Sequence, residues 1–292
     1  METDVPFPRL ALLGVGYIGG SAAFAARLAG VVGEIVGYDP SSAAGQGAIR
    51  MGIIDAACAS PQDAVAGASL VLLAAPVRSM EVLLRALAPA LAPEATVIDV
   101  GSVKAGIVAV AEAVLSAGCF VGCHPMAGAE YSGVEAADAK IFAGRVCFIC
   151  PSRNARASAV SAAEAFWRGV GCQTAIIEPD IHDRLMAAQS HLPHVAAFAL
   201  AGALVPAMPF LESTTTAASP TTSLRDTTRI AASGPAVWRD ILIANATHVL
   251  PLIQELETCV AEIKSAVATG DGETLERILA TAQSCRKRLV KE

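Results

Sequence analysis

Charge is scarce in this chain. Of its 292 residues only 16% are charged, against 54% apolar, and the net charge is −6. No long basic run is present, so the electrostatic footprint of a nucleic-acid binder is missing. Low charge also means that much surface has to be buried, and part of it is expected between subunits. From Leu10 to Ala26 there is no charged residue at all. That stretch lacks the basic n-region of a signal peptide and holds four glycines. It reads as strand, turn and helix, so no membrane span is expected and the chain reads as cytoplasmic. A second C-x-x-C is lacking too. The one present, Cys147-Phe-Ile-Cys150, lies in an apolar strand-like run, so no zinc site is completed and the thiols read as buried and reduced. Repeats and long linkers are absent. The length suggests about two domains.

What the chain does have is glycine in one telling place. Leu10-Ala11-Leu12-Leu13 suits a buried strand, and Gly14-Val15-Gly16-Tyr17-Ile18-Gly19, with Gly20 behind it, leads into helix-forming residues from Ser21 to Ala29. In strand, G-x-G-x-x-G, helix, the first glycine permits the turn. The second lets the backbone approach a pyrophosphate, and the third lets helix and strand pack closely. The next apolar stretch, Glu34–Tyr38, ends on Asp39, twenty residues past Gly19. An acid there accepts hydrogen bonds from the ribose hydroxyls of NAD and repels a 2′-phosphate.

Strand and helix patterns alternate onward: helix over Ser41–Met51, strand over Leu70–Ala75, helix over Met80–Leu91, strand over Ala95–Val100, helix over Ala105–Ser116, strand over Phe120–Cys123. The alternation predicts an α/β fold with a parallel, doubly wound, Rossmann-like sheet, whose ligands bind beyond the carboxyl ends of the strands. Gly14, Asp39, Pro76, Ser102 and His124 stand at such ends. Gly14, Gly16, Tyr17, Ile18, Gly19, Asp39, Ala75, Pro76 and Ser102 are the candidate cofactor-binding residues. Pro125–Arg145 reads as a long loop, Val146–Cys150 and Gln173–Ile177 as strands, and Asn154–Gly169 as a helix. Past Pro179 only helices are expected: His182–Leu204, Ser223–Ala232, Pro235–Thr269 and Glu273–Val290, with Gly234 as cap before Pro235 and a kink at Pro251. The domain boundary falls near Glu178, giving 1–178 and 179–292. Ile253, Leu256, Val260, Ile263 and Val267 form one apolar seam, either intrachain core or subunit contact.

Among five histidines, His124 follows the strand end at Cys123. A neutral imidazole beside a nicotinamide can accept a hydroxyl proton as hydride leaves the same carbon. Ser102, at the neighbouring strand end, is placed to hydrogen-bond His124 or the nicotinamide. His191 and His194 offer a second pair. With His182 they suggest a metal only weakly, because no acidic or cysteine partner has a fitting spacing, and no metal is expected. Ser223-Leu-Arg-Asp226 resembles a capping box and would start a helix bearing Arg225 and Arg229 on one face. Arg suits bidentate carboxylate binding, though a solvated face with Asp226 as partner fits the spacing equally.

Taken together, Gly14-Val-Gly-Tyr-Ile-Gly-Gly20, Asp99-Val-Gly-Ser-Val-Lys104, His124-Pro-Met-Ala-Gly-Ala-Glu130, His182-Asp183 with Ser190-His-Leu-Pro-His194, and Arg225-Asp-Thr-Thr-Arg-Ile-Ala231 with Trp238 resemble the prephenate/arogenate dehydrogenases of tyrosine biosynthesis over nearly the whole chain. The resemblance implies NAD as cofactor, and His124 at the ring hydroxyl with Ser102 beside it as the catalytic pair. It implies Arg229, His194 and Trp238 at the substrate, Glu130 and Asp183 around the pocket, and an all-α dimerisation domain that makes a homodimer. The family often carries glycines just before its Arg-Asp pair, where this chain has Thr221-Thr222-Ser223-Leu224. Prephenate and arogenate both stay open as substrates. No regulatory domain or fused mutase is expected after the helices. A β-hydroxyacid dehydrogenase or imine reductase of similar architecture, or a non-catalytic dinucleotide sensor, are the alternatives.

Overall fold

The fold is taken from a computed structural model that describes residues 5–115, 118–128, 131–213 and 221–290. Eight strands form one sheet: β1 (Phe7–Leu13), β2 (Val32–Tyr38), β3 (Ala56–Ala57), β4 (Leu70–Leu73), β5 (Thr96–Asp99), β6 (Phe120–Pro125), β7 (Val146–Pro151) and β8 (Gln173–Ile176). Their order is β3-β2-β1-β4-β5-β6-β7-β8. All neighbours pair parallel except β6 and β7, which run antiparallel. The expected doubly wound sheet is therefore mostly parallel, and its order reverses between β1 and β4. Helices α1 (Tyr17–Leu28), α2 (Ser42–Arg50), α3 (Pro61–Val65), α4 (Val77–Leu87), α5 (Ala105–Val114) and α6 (Ala157–Gly169) connect the strands.

The sheet is buried on both faces, which is why its strands read as continuous apolar runs. Leu10, Leu12, Leu70 and Leu72 point into one core with Phe166 and Trp167. Ala11, Leu13, Val71 and Leu73 point into the other with Met80, Leu84 and Ile107.

The sequence reading stopped short in several places. β1 starts at Phe7, and β3 and α3 were not anticipated, because Ala56-Ala57 is too short to show a period. β6 continues through His124 to Pro125 instead of ending at Cys123, since its antiparallel partner β7 carries it on (His124 opposite Phe148, Pro125 opposite Cys147). The connection from Pro125 to Arg145 contains two 3₁₀ turns, Val134–Ala136 and Ala139–Phe142. It is tied onto α1: Asp138 N donates to Ser21 Oγ at 3.0 Å, and Val134 packs so close to Gly20 that a Cβ there would meet Cγ2 at 3.1 Å. Cys147 and Cys150 lie in β7 as free thiols. Burial holds both well above the ordinary thiol pKa, as inert protonated groups. The expected helix end at Ser116 and the site candidate Glu130 lie outside the described residues.

After β8 come helices α7 (Pro179–Met186), α8 (Leu192–Ala203), α9 (Met208–Ser213), α10 (Thr222–Thr228), α11 (Pro235–Ala244), α12 (Ala246–Thr269) and α13 (Gly272–Leu289). Two expected helices are interrupted. A π turn, Ala187–His191, separates α7 from α8. Pro193 has no N–H for an α-type bond to Gln189, and Leu192 N reaches Ala187 O instead. Asn245 separates α11 from α12 with non-helical φ −107°, ψ 24°, while its side chain is drawn into hydrogen bonds described below. Pro235 follows Gly234 as expected. The cap of α10 is Thr221, not Ser223: Thr221 Oγ1 accepts from Leu224 N at 3.3 Å. Ser223 lies within the helix, where its carbonyl accepts from Thr227 Oγ1.

By compactness the chain forms two units, Met1–Asn245 and Ala246–Glu292. In the second, Gly270 (φ +69°) ends α12 and Asp271 caps α13 by accepting from Thr274 N at 3.0 Å. Of the apolar seam on α12, Val260 and Val267 remain exposed.

Candidate active site

Because β2, β1, β4, β5 and β6 are parallel neighbours, their carboxyl ends line one edge. Gly14 opens the turn after β1 with φ +99°, and a Cβ on it would lie 2.5 Å from Ala74 O. A Cβ on Gly19 would collide with Gly14 O, so α1 sits hard against the turn. A Cβ on Gly16, by contrast, would meet nothing within 4 Å beyond its neighbours along the chain. Gly16 is also the N-cap of α1, without a side-chain cap or an acid in the first turn. Open space beside uncapped helix N–H groups is what a pyrophosphate needs. Ile18 is half-buried, and buried Tyr17 stacks edge-on with Tyr131. Asp39 accepts from Val15 N and Ser41 N, each at 2.8 Å, and so braces the turn against the end of β2. Ala75 and Pro76 lie between β4 and α4, with Pro76 as the helix cap.

The next two strand ends are joined by a buried ion pair. Lys104 Nζ contacts Asp99 Oδ2 and donates to Cys123 O at 2.9 Å. Asp99 also accepts from Cys123 N and Gly101 N, each at 2.8 Å. Both side chains are 0% exposed. A buried pair is tolerated only with such full satisfaction. It fixes the Gly101–Val103 turn, and with it half-buried Ser102, relative to His124. Ser102 does not bond His124, whose Nδ1 is taken by His182.

His124 Nδ1 and His182 Nε2 are 2.9 Å apart, and His182 Nδ1 is 2.8 Å from Asp183 Oδ1. Asp183, expected around the pocket, is buried and caps α5: its oxygens accept from Lys104 N at 2.7 Å and Ala105 N at 2.8 Å. Asn245 Nδ2 donates to Asp183 O at 2.8 Å and to His191 Nδ1 at 3.0 Å. His191 lies edge-on to Trp238, and Trp238 stacks on His194 with centroids 3.5 Å apart. His194 Nδ1 donates to Ser190 O at 2.8 Å. Arg229, exposed at the junction of α10 and a 3₁₀ turn (Arg229–Ala232), is near enough for its charge to act on His194. No salt bridge joins it to Asp226 among the described residues.

Three histidines are kept neutral. Burial pushes His124 well below the usual imidazole value, helped by His182, Lys104 and His191. Burial takes His191 down to about 4 against the pull of Asp183. His194 is lowered by burial and by Arg229, against its bond to Ser190. A neutral, buried His124 can receive a proton at neutral pH.

The structure thus brings His194, Arg229 and Trp238 into one group and links it through His191 and Asn245 to His182, Asp183 and His124. Sequence reasoning missed Asn245 and the Asp99–Lys104 pair, and weighed His182 only as a metal ligand. The usable signal was a charged residue at each end of the otherwise uncharged Asp99–Lys104 turn.

A glycine turn at the reversal of a mostly parallel sheet, with a neutral buried histidine on the same sheet edge, points to a nucleotide-binding oxidoreductase. Comparison with known proteins narrows the class. Residues 22–176 match the family model of the prephenate dehydrogenase nucleotide-binding domain, and residues 178–281 match that of the prephenate dehydrogenase dimerization domain. Cyclohexadienyl dehydrogenase of Zymomonas mobilis is 32% identical over 96% of this chain and 95% of its own length. Prephenate dehydrogenase of Bacillus subtilis is 34% identical over 94% of this chain and 74% of its own. The crystal structure of prephenate dehydrogenase from Aquifex aeolicus, in complex with hydroxyphenyl propionate and NAD+, superposes with a TM-score of 0.86 at 31% identity, covering 99% of this chain and 100% of that one. The chain belongs to the prephenate dehydrogenase family.

Proposed function

We propose that this chain catalyses the NAD+-dependent oxidative decarboxylation of prephenate to 4-hydroxyphenylpyruvate, of arogenate to tyrosine, or of both: hydride leaves ring carbon C4, CO2 leaves C1, and the ring becomes aromatic. Family membership excludes the hydroxyacid dehydrogenase and imine reductase readings. The observation that carries the mechanism is His124, buried and uncharged on the sheet edge that also bears the glycine turn. NAD+, when bound, supplies the hydride acceptor. Gly14, Gly16 and Gly19 with the N-terminus of α1 would hold its pyrophosphate, and Asp39 would hold its ribose. His124 receives the C4 hydroxyl proton. Arg229 orients a substrate carboxylate, and His194, with Trp238 stacked on it, lines the substrate beside it. A firm hold on the departing carboxylate would stabilise the ground state, so Arg229 positions more than it accelerates. NADH formation on adding prephenate, then arogenate, is the test; no turnover with either sinks the reading and leaves a dinucleotide sensor.

Two expectations follow for variants and cofactors. Asp39 has no basic neighbour in sequence, only Pro40, Ser41 and Ser42, so kcat/KM should favour NAD+ over NADP+; a preference for NADP+ removes Asp39 from the ribose. Arg229→Ala should chiefly raise KM. A charge-assisted hydrogen bond contributes about 1.5–3 kcal/mol, on the order of 10–150-fold in affinity. Lys should restore part of this, since an ammonium lacks the planar fork. An unchanged KM in a folded variant that still binds NAD+ would leave Arg229 outside the site.

On this reading residues 1–178 hold the dinucleotide, and residues 179–292 supply the carboxylate end and the contact between two copies. The meeting of the two family models between residues 176 and 178 supports that division. A homodimer accounts for the apolar surface of the helices, where Val205, Phe210, Val237 and Ile243 are all more than 60% exposed. Pro179–Ser213 is long and apolar enough to cross a membrane, with 6% of its most apolar window buried. A second copy covers such a face without lipid, and the buried His182 and Asp183 in the same run fit a catalytic core better than a span. The working place of the enzyme is the cytoplasm.

A further inference from the structure

We propose that His182 and Asp183 are positioning residues that set the tautomer of His124, holding its proton on Nδ1 and its lone pair on Nε2. The inference rests on the reading of His124 as the base and follows from donor counting. A carboxylate only accepts, so His182 Nδ1, 2.8 Å from Asp183 Oδ1, carries a proton. A neutral imidazole has one N–H, which leaves Nε2 of His182 as an acceptor. That atom is 2.9 Å from His124 Nδ1, so His124 donates there and its own Nε2 is the basic nitrogen. Among the described residues no protein group claims that nitrogen.

The chain of bonds cannot readily turn over. Both oxygens of Asp183 are also held by the backbone N–H groups of Lys104 and Ala105 at the start of α5, at 2.7 and 2.8 Å. His182 is wholly buried, with His124 and Phe148 edge-on at centroid distances of 5.1 and 5.6 Å. The opposite arrangement, with His182 donating to His124, requires a second proton on His182. The carboxylate that would have to balance that charge, Asp183, already accepts from two backbone N–H groups. Charged and titratable groups reach His124 from each neighbour: His182 on α7, Lys104 before α5, and His191 in the π turn. Of these Lys104, already cationic, opposes a positive charge on His124. Asp183 therefore does two jobs with one carboxylate, capping α5 and orienting the base.

The test combines spectroscopy and kinetics. In protein labelled with 15N-histidine, the ring signals of His124, identified by their loss in His124→Asn, should show a protonated Nδ1 and an unprotonated Nε2. In Asp183→Asn the amide can turn its NH2 toward His182, which reverses both tautomers and puts a proton on the reacting nitrogen. Replacing by its amide a carboxylate that orients a catalytic histidine costs up to about 10⁴-fold. A kcat loss of roughly 10²–10⁴-fold is expected here, with KM and NAD+ affinity near wild type. His182→Gln keeps an acceptor for His124 Nδ1 and should retain kcat within about tenfold, whereas His182→Leu should fall as far as Asp183→Asn. A protonated Nε2 on wild-type His124, a doubly protonated His182, or equal kcat for the Gln and Leu variants would overturn the proposal. The tautomer measurement needs no substrate, so an inactive wild type would sink the functional reading while leaving this result standing.

Discussion

His124→Asn is expected to lose kcat by about 10²–10⁴-fold, the usual worth of general base catalysis, while binding NAD+ as before. On the proposed reading the dinucleotide would be held by the turn after β1 and by Asp39, neither of which shares a hydrogen bond with His124. The variant therefore separates chemistry from binding. The pH dependence sharpens the expectation. Burial, His182, Lys104 and His191 all depress the pKa of His124. A base with a depressed pKa is already free at neutral pH, so the wild-type rate should sit on its plateau there. It should fall only when acid takes the imidazole through a pKa below the ordinary value of about 6.5. Steady-state rates across the acid range read this directly. Near-wild-type turnover by the Asn variant would take His124 out of the mechanism, and an acid limb at or above the ordinary imidazole value would contradict the depression.

The second large effect concerns stability. Asp99→Ala leaves Lys104 as a buried ammonium with one carbonyl partner, and leaves the N–H groups of Cys123 and Gly101 without their acceptor. Removing one partner of a buried pair costs about 3–5 kcal/mol. Lys104→Met should cost less, because Asp99 keeps its two backbone donors. The double variant Asp99→Ala/Lys104→Met should lose less than the sum of the single losses, since it leaves neither charge stranded. Denaturant unfolding of the three proteins measures all of this. An Asp99→Ala protein within about 1 kcal/mol of wild type would mean that the pair behaves as a weak surface bridge despite its burial.

The sheet edge was legible from residue patterns because each feature has a local cause. Gly14, Gly16 and Gly19 announce a turn, a vacancy and a close contact, and Asp39 follows at the required spacing. Helix ends set by one residue, such as Gly234 before Pro235, were equally readable. What escaped depends on partners distant in sequence. Nothing around His182 says that it will meet His124, 58 positions away. The Asp183 carboxylate bonds residues 78 and 79 positions back, and Asn245 looks like an unremarked polar residue in a helix until its amide is seen between Asp183 and His191. The break in the helix at Asn245 has the same origin, since a tertiary bond outweighs local propensity there. The π turn was foreshadowed by Pro193 but passed over, because an apolar run on both sides disguised it.

The Asn245 amide ties His191, at the Trp238 end, to Asp183, at the His124 end. The two ends of the site are thereby parts of one lattice of bonds. A ring substrate presents its hydroxyl and its carboxylate at opposite poles, a fixed span apart. On the proposed reading, a site whose own poles are tied together would act as a gauge of that span. The entropy of arranging it is lost once, when the chain folds, and not again at every encounter.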